Sequence, residues 1–244
     1  MQARERGSEG ARERGSQSKS LRLFFPQSLY FSFILLTVAL ALAAPAPRQS
    51  PTAIIEQLQK KYSRLQTISA EFKHIYHAPG SRTLQESGYM VLQRPRLMRW
   101  EYTSPEEKLF ISDGKTVYFY VPADRQVTQA KIKDVDDLRI SFIFLLGRVD
   151  IRQYFYRFEL TQSERPVQAG NYVVRLTPEK RYAAFAELII EIVPTTFELR
   201  RVSIMEFGGA RSDFLLSNVR ENVPVSPNQF SFTIPPNVQV LGER

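Results

Sequence analysis

Alternation with a period of two dominates the chain from Thr67 onward and most constrains how it can fold. Short runs rich in aromatic and β-branched residues recur there, separated by turn-forming residues, and this pattern is typical of β-strands. The sharpest hairpin signal is Asp113-Gly114, which lies between Ile111 and Val117. About a dozen closely spaced strands with tight turns predict an antiparallel sheet that curls strongly.

The predicted strands account for most of the chain after residue 67. They lie near residues 68–77, 85–94, 96–103, 107–112, 115–121, 125–130, 153–160, 171–177, 186–193, 197–207, 211–220 and 229–234. We expect one domain, because β-rich units of roughly 200 residues commonly fold as a single core.

Two segments depart from the strand pattern and predict helices. Residues 52–66 carry a single apolar stripe, with Thr52 as the candidate cap. The stripe consists of Ile54, Ile55, Leu58, Tyr62 and Leu65. Residues 138–146 are apolar around most of the helix circumference. Such a helix is either an ordinary buried core element or the cover of a cavity.

The first 43 residues have the layout of an export signal. Lys19 and Arg22 supply positive charge, residues 29–42 form an apolar run, and Ala41-Leu42-Ala43 matches a cleavage site. The run of about fourteen residues is short for a membrane span, which needs about twenty; an uncleaved anchor is the alternative. We expect an N-terminal extension and cleaved signal peptide at 1–43, a Pro-rich joint at 44–51 and the folded domain at 52–244.

Charge and cysteine content exclude several classes of protein. The formal net charge is +8, and residues 1–43 hold six basic and three acidic side chains. The scattered charge of about +5 that remains after cleavage does not favour nucleic-acid binding. The chain has no cysteine, so neither a disulfide nor an N-terminal lipid anchor is available, and we expect a soluble exported domain stabilised by its core.

Residues that commonly carry catalysis are scarce. The only histidines, His74 and His77, point to opposite faces of a predicted strand and make a poor shared metal site. No nucleophile elbow, P-loop or H-E-x-x-H motif occurs. We expect neither an enzyme nor a bound metal or cofactor. A hydrolase, the remaining enzymatic hypothesis, would need a nucleophile with a base beside it.

The predicted strand near 97–102 carries an apolar face suited to a flexible ligand. Met98, Trp100 and Tyr102 share one side of this strand. Methionine and tryptophan adapt to an aliphatic chain better than branched side chains do. Other bulky residues of the sheet extend the apolar surface: Phe72, Met90, Leu92, Phe110, Tyr118, Tyr120, Met205 and Phe207. Ordinary core packing is the alternative for each of them.

Two motifs around this strand carry a resemblance to a known family. They are LQRPRLMRW at 92–100 and ISDGKTVYFYVP at 111–122, with Ser104-Pro105 between them. Their order and spacing resemble those of the outer-membrane lipoprotein carrier protein family, LolA. The helix after the signal, the apolar segment at 138–146 and the closing FSFTIPPNV at 230–238 are similar too. The resemblance covers about residues 52–241.

The resemblance implies a fold and a site. The implied fold is mainly β: an unclosed antiparallel β-barrel of about eleven strands, with an α-helical lid over a hydrophobic cavity. Arg94 occupies the position of the family's arginine that holds the lid closed; a charged end of an edge strand is its alternative role. Met98 stands where the family has an aromatic residue that passes the cargo onward. The implied lining of the acyl-chain cavity is Met98, Trp100, Tyr102, Phe72, Met90, Leu92, Phe142 and Leu145.

The resemblance also implies partners. A carrier of this family binds triacylated lipoproteins in the periplasm, takes them from an ATP-driven inner-membrane complex (ABC-type, LolCDE-like) and delivers them to an outer-membrane acceptor (LolB-like). LolB shares the fold but carries a lipid-attachment cysteine, so the absence of cysteine favours the carrier role. We expect a monomer. The alternative function is a lipid- or lipoprotein-sensing binding module on the same scaffold.

Overall fold

The computed structural model of the chain describes residues 49–132, 150–179 and 185–242. The expected signal segment and the predicted helix at 138–146 lie outside these residues. No helix within them is long and apolar enough to cross a membrane.

Twelve strands form one sheet in the described part of the chain. They are β1 (Thr67–His77), β2 (Leu84–Gln93), β3 (Leu97–Ser104), β4 (Lys108–Asp113), β5 (Thr116–Val121), β6 (Gln126–Lys131), β7 (Phe155–Leu160), β8 (Tyr172–Pro178), β9 (Glu187–Ile192), β10 (Leu199–Met205), β11 (Arg211–Glu221) and β12 (Gln239–Leu241). Their spatial order is β12-β6-β5-β4-β3-β2-β1-β11-β10-β9-β8-β7. The sheet therefore ends at β12 and β7 and does not close, which confirms the expected fold class.

The alternating pattern predicted the first eleven strands to within a few residues, and all of them pair antiparallel. The predicted twelfth strand at 229–234 is wrong. Pro227–Phe230 form a short 3-10 helix instead, and the prolines on either side of 229–234 have no N–H to give to a strand ladder. The true last strand, β12, pairs parallel with β6.

Helix α1 spans Pro51–Tyr62 and precedes the sheet. Ser50 caps it, since its Oγ accepts a hydrogen bond from the backbone N of Ala53 at 3.2 Å. The predicted cap Thr52 lies inside the first turn, after Pro51, which suits the first helical position because proline has no N–H to leave unbonded there. The helix ends at Tyr62, four residues before the predicted end at residue 66. Lys60 and Lys61 lie in its last turn, where their positive charge complements the negative end of the helix dipole.

One face of the sheet, which we call the inner face, packs with helix α1 into a single core. The buried helix residues are Ile54, Ile55, Leu58 and Tyr62. They belong to the same apolar cluster as alternate residues of β1, β2 and β3. Tyr118 and Tyr120 depart from the expected apolar surface, since both rings contact Phe232 while their neighbour Phe119 packs against the core. Phe207 is 69% exposed in a turn.

The opposite face is covered in part by the loop between β7 and β8. Glu191 is fully buried there and accepts hydrogen bonds from the backbone N of Val167 and Gln168. Arg211 donates to both carboxylate oxygens of Glu164, at 2.8 and 3.1 Å. These bonds fix the loop against the sheet and leave the inner face for helix α1.

Close contact between β2 and β3 should make Gly88 irreplaceable. A Cβ at this position would lie 1.8 Å from the carbonyl oxygen of Glu101, which is backbone and cannot rotate away. We expect Gly88→Ala to lower the free energy of unfolding by about 3 kcal/mol or more. Urea unfolding measures this loss. Gly208→Ala is the control, because a Cβ there meets nothing within 4 Å; equal stability of the two variants would contradict the strand register.

Candidate functional site

The inner face brings together six of the residues predicted to line an acyl-chain cavity. Along β3, Met98, Trp100 and Tyr102 are each at most 5% exposed. In the β2–β3 register Met98 lies opposite Leu92 and Trp100 opposite Met90. Cross-strand pairs of this kind place side chains in contact on one face.

Aromatic contacts extend this surface from β3 to β1. The ring of Phe72 lies 4.9 Å from the rings of both Trp100 and Tyr102, in edge-to-face geometry. Of the predicted lining residues, Phe142 and Leu145 lie outside the described part of the chain. The other six form one continuous apolar surface, which in the described residues is covered rather than open.

Helix α1 belongs to the same apolar cluster as this surface, and the side chains it contributes are almost fully buried. Ile54, Ile55 and Leu58 are at most 1% exposed. Their contacts are apolar and non-directional, and the free energy they contribute scales with the area removed from water.

A hydrogen bond from Arg94 holds the end of helix α1. Its Nη2 donates to the carbonyl oxygen of Tyr62 at 2.7 Å. Tyr62 is the last residue of the helix, and carbonyls there lack a partner within the helix. Arg94 follows the last residue of β2, and its backbone N donates to the carbonyl oxygen of Gln66 at 3.0 Å. The arginine predicted as a lid latch thus contacts the described helix directly.

Tyr62 adds a second tie that sequence reasoning missed. Its hydroxyl oxygen accepts a hydrogen bond from the backbone N of Leu199, on β10, at 3.0 Å. Burial raises the pKa of the Tyr62 phenol, so the side chain stays neutral. Tyr62 therefore joins the helix end to β2 and to β10. The available signal was the single tyrosine in an otherwise aliphatic stripe.

A polar cluster, which we call the triad, lies on the inner face at the end of the sheet away from Arg94. His74 Nδ1 and Glu86 Oε2 are 3.0 Å apart, and Lys108 Nζ donates to Glu86 Oε1 at 2.7 Å. The hydrogen bond from His74, assisted by Lys108, overcomes burial and lowers the pKa of Glu86 to about 2. The carboxylate is therefore ionised at neutral pH.

The triad was not predicted from the sequence, because the pattern of residues gave neither histidine a role. A usable signal was Glu86, the one charged residue in the register of Gly88, Met90 and Leu92. His77 has a different partner, the hydroxyl of Thr83 at 2.8 Å. In the described residues no three His, Asp or Glu side chains are grouped as metal ligands.

Comparison with known proteins connects this geometry to a family. Residues 63–233 match the family model described as outer membrane lipoprotein carrier protein LolA. An outer-membrane lipoprotein carrier protein of Azotobacter vinelandii is 30% identical over 217 residues, which is 88% of this chain and 99% of the relative. One from Pseudomonas aeruginosa is 29% identical over 211 residues, covering 86% and 97%.

Solved structures are more distant in sequence. An uncharacterized conserved protein from Thermus thermophilus has a TM-score of 0.49 at 15% identity, covering 79% of this chain and 99% of that one. A LolA superfamily protein from Nitrosomonas europaea has a TM-score of 0.41 at 10% identity, covering 75% and 98%.

Loss of the Tyr62 hydroxyl should weaken the attachment of helix α1. Tyr62→Phe leaves the buried N–H of Leu199 without its acceptor, and we expect unfolding to require about 1–3 kcal/mol less free energy. Chemical denaturation measures the change. Tyr89→Phe serves as the control, because Tyr89 is 53% exposed and its variant should stay within about 0.5 kcal/mol of wild type. A neutral Tyr62→Phe would show that this tie contributes nothing.

Glu86 should make the stability of the domain depend on acid pH. Because its folded pKa is lowered from 4.5 to about 2, the stabilisation is fully present above pH 4.5 and is lost as the pH falls towards 2. Glu86→Gln should flatten the plot of unfolding free energy against pH in this window. Glu106→Gln, at an exposed partner of Lys108, should leave the slope as in wild type; a slope retained in Glu86→Gln would refute the assignment.

Proposed function

The chain belongs to the LolA family of outer membrane lipoprotein carrier proteins, and from this premise we propose that it buries the acyl chains of its cargo against the inner face. It is a periplasmic lipoprotein carrier and not an enzyme. Met98, Trp100 and Tyr102 supply the central contacts, and Phe72, Met90 and Leu92 enlarge them. Phe142 and Leu145 complete the proposed lining.

The free energy of hydration explains why a carrier is needed. Each buried methylene contributes about 0.8 kcal/mol, so a chain of 16 carbons left in water costs on the order of 12 kcal/mol. An acylated protein therefore does not cross an aqueous compartment unaided. A surface of Met, Trp, Tyr and Phe side chains offsets most of this cost without fixing the conformation of the acyl chain.

The observation that supports this proposal best is the way helix α1 is attached. The directional ties at its end are two hydrogen bonds at Tyr62, from Arg94 and from Leu199, and a partly exposed ion pair between Lys61 and Glu221, which adds at most about 1 kcal/mol. A neutral bond contributes about 0.5–1.5 kcal/mol and one to a charged group about 1.5–3. Burying a few methylenes contributes a free energy about equal to the sum of these contributions, so acyl chains can displace the helix as they bind. Arg94 acts as the latch that restores the covered state.

Triacylated lipoproteins are the proposed cargo, taken from a LolCDE-like complex in the inner membrane and passed to a LolB-like acceptor in the outer membrane. Direction comes from these partners, because binding to one surface has no preferred direction by itself. Release by the donor requires work, for which the ATP-driven complex is the source.

A transfer assay tests the carrier function. The purified domain is mixed with donor membranes that hold a fluorescently labelled triacylated lipoprotein, and the supernatant is examined for a soluble one-to-one complex. We expect the complex to form and to pass its cargo to acceptor membranes. Failure to form it, together with failure to displace a fluorescent fatty acid, would end the proposal. Cargo that is bound but never passed on would instead indicate a sensing module.

Arg94→Leu should separate uptake from delivery. The variant loses the bond to the carbonyl of Tyr62, so the covered state forms less readily after loading and cargo is retained. We expect uptake close to that of wild type and delivery reduced about tenfold, measured as the rate of label transfer to acceptor membranes. Arg96→Leu is the matched control, because Arg96 is exposed and only two residues away. Equal delivery by the two variants would contradict the latch.

A further inference from the structure

The inner face has a polar group at each end. Leu92, near Arg94, lies six positions along β2 from Glu86 in the triad, a distance of roughly 20 Å along the strand. The stretch between them is the apolar surface proposed to take acyl chains. The triad is therefore placed where one end of an extended aliphatic ligand lies.

His74 belongs to this surface as well as to the triad. Its ring stacks on Phe214 with centroids 4.3 Å apart and planes 3° from parallel. Phe214 in turn lies 5.6 Å from Trp100, and the ring of Tyr102 is 6.4 Å from that of His74. A ligand lying on Trp100 and Tyr102 thus has the imidazole within reach.

One ring nitrogen of His74, Nε2, takes no part in the hydrogen bonds of the triad. The ionised carboxylate of Glu86 can only accept, so Nδ1 carries the proton of the hydrogen bond between them. Nε2 is buried and has no hydrogen-bond partner among the described residues. Lys108 is engaged with Glu86 and, at 3.4 Å, with Glu106. A buried nitrogen without a partner is costly and calls for an explanation.

We propose that Nε2 of His74 binds the carboxyl group of a free long-chain fatty acid, whose chain lies along the inner face. The inference rests on the proposed function, because the same surface takes the acyl chains of lipoproteins. A carboxylic acid donates to neutral Nε2, and a carboxylate accepts from protonated Nε2, so this group pairs with the ring in both arrangements. An ester carbonyl can only accept and pairs only when the ring takes up a second proton.

The test compares palmitic acid with its methyl ester on the full domain. Trp100 is the only tryptophan of the chain, so its fluorescence reports binding at this surface. Wild type should bind the acid about tenfold more tightly than the ester, as one hydrogen bond to a charged group implies. His74→Leu should lose this preference, whereas His77→Gln, at the exposed histidine, should keep it. Equal affinities in wild type, or a preference retained in His74→Leu, overturn the proposal.

Imidazole nitrogen NMR tests the same contact without altering the triad. The chain has two histidines, and His77→Gln assigns their signals. Palmitic acid should shift the Nε2 resonance of His74 and the ester should not; an unchanged resonance with the acid bound overturns the proposal even where His74→Leu does not fold.

The two proposals fail separately. A wild-type domain that carries lipoprotein but does not distinguish acid from ester refutes the carboxyl site alone. A domain that binds palmitic acid with the expected preference yet forms no lipoprotein complex refutes the carrier proposal and leaves the carboxyl site in place.

Discussion

The attachment of helix α1 to the inner face through Tyr62 is the interaction on which the rest of the structure depends. A sheet that ends at β12 and β7 cannot bury its own inner face as a closed barrel does. The helix supplies the missing cover, and its buried aliphatic side chains complete the core. Because Tyr62 is tied both to Arg94 and to Leu199, the helix end is held across four adjacent strands, from β2 to β10.

Much of this fold could be predicted from the sequence, because alternation is a local signal. Eleven strands follow from residues that alternate between a buried and a half-exposed side. The exceptions are segments whose structure depends on the strand or the prolines next to them and not on their own alternation. β12 has three exposed residues and exists because the edge of β6 accepts it, whereas the aromatic run at 229–234 lies between prolines that prevent a ladder. Tyr118 and Tyr120 were misplaced because both faces of β5 carry aromatic residues, so alternation could not identify the inner one.

The apolar part of the candidate site was predictable for the same reason, and its polar part was not. Met98, Trp100 and Tyr102 share a face by spacing alone. The bond between Tyr62 and Leu199 joins residues 137 apart in the sequence, and the triad draws on β1, β2 and β4. Such pairs depend on which strands are neighbours and in what register. Neither quantity is encoded in the periodicity of any single strand.

The two polar ends of the inner face differ in what happens when the helix is displaced. Arg94 is half-buried, so it and the carbonyl of Tyr62 can exchange their mutual bond for bonds with water at modest cost. Glu86 is almost fully buried but keeps His74 and Lys108, which lie on the sheet and not on the helix. In the proposed open state the N–H of Leu199 also loses the hydroxyl of Tyr62, while the buried charge of Glu86 stays paired. A cover arranged in this way can open repeatedly, because no opening leaves an ionised group alone in an apolar environment.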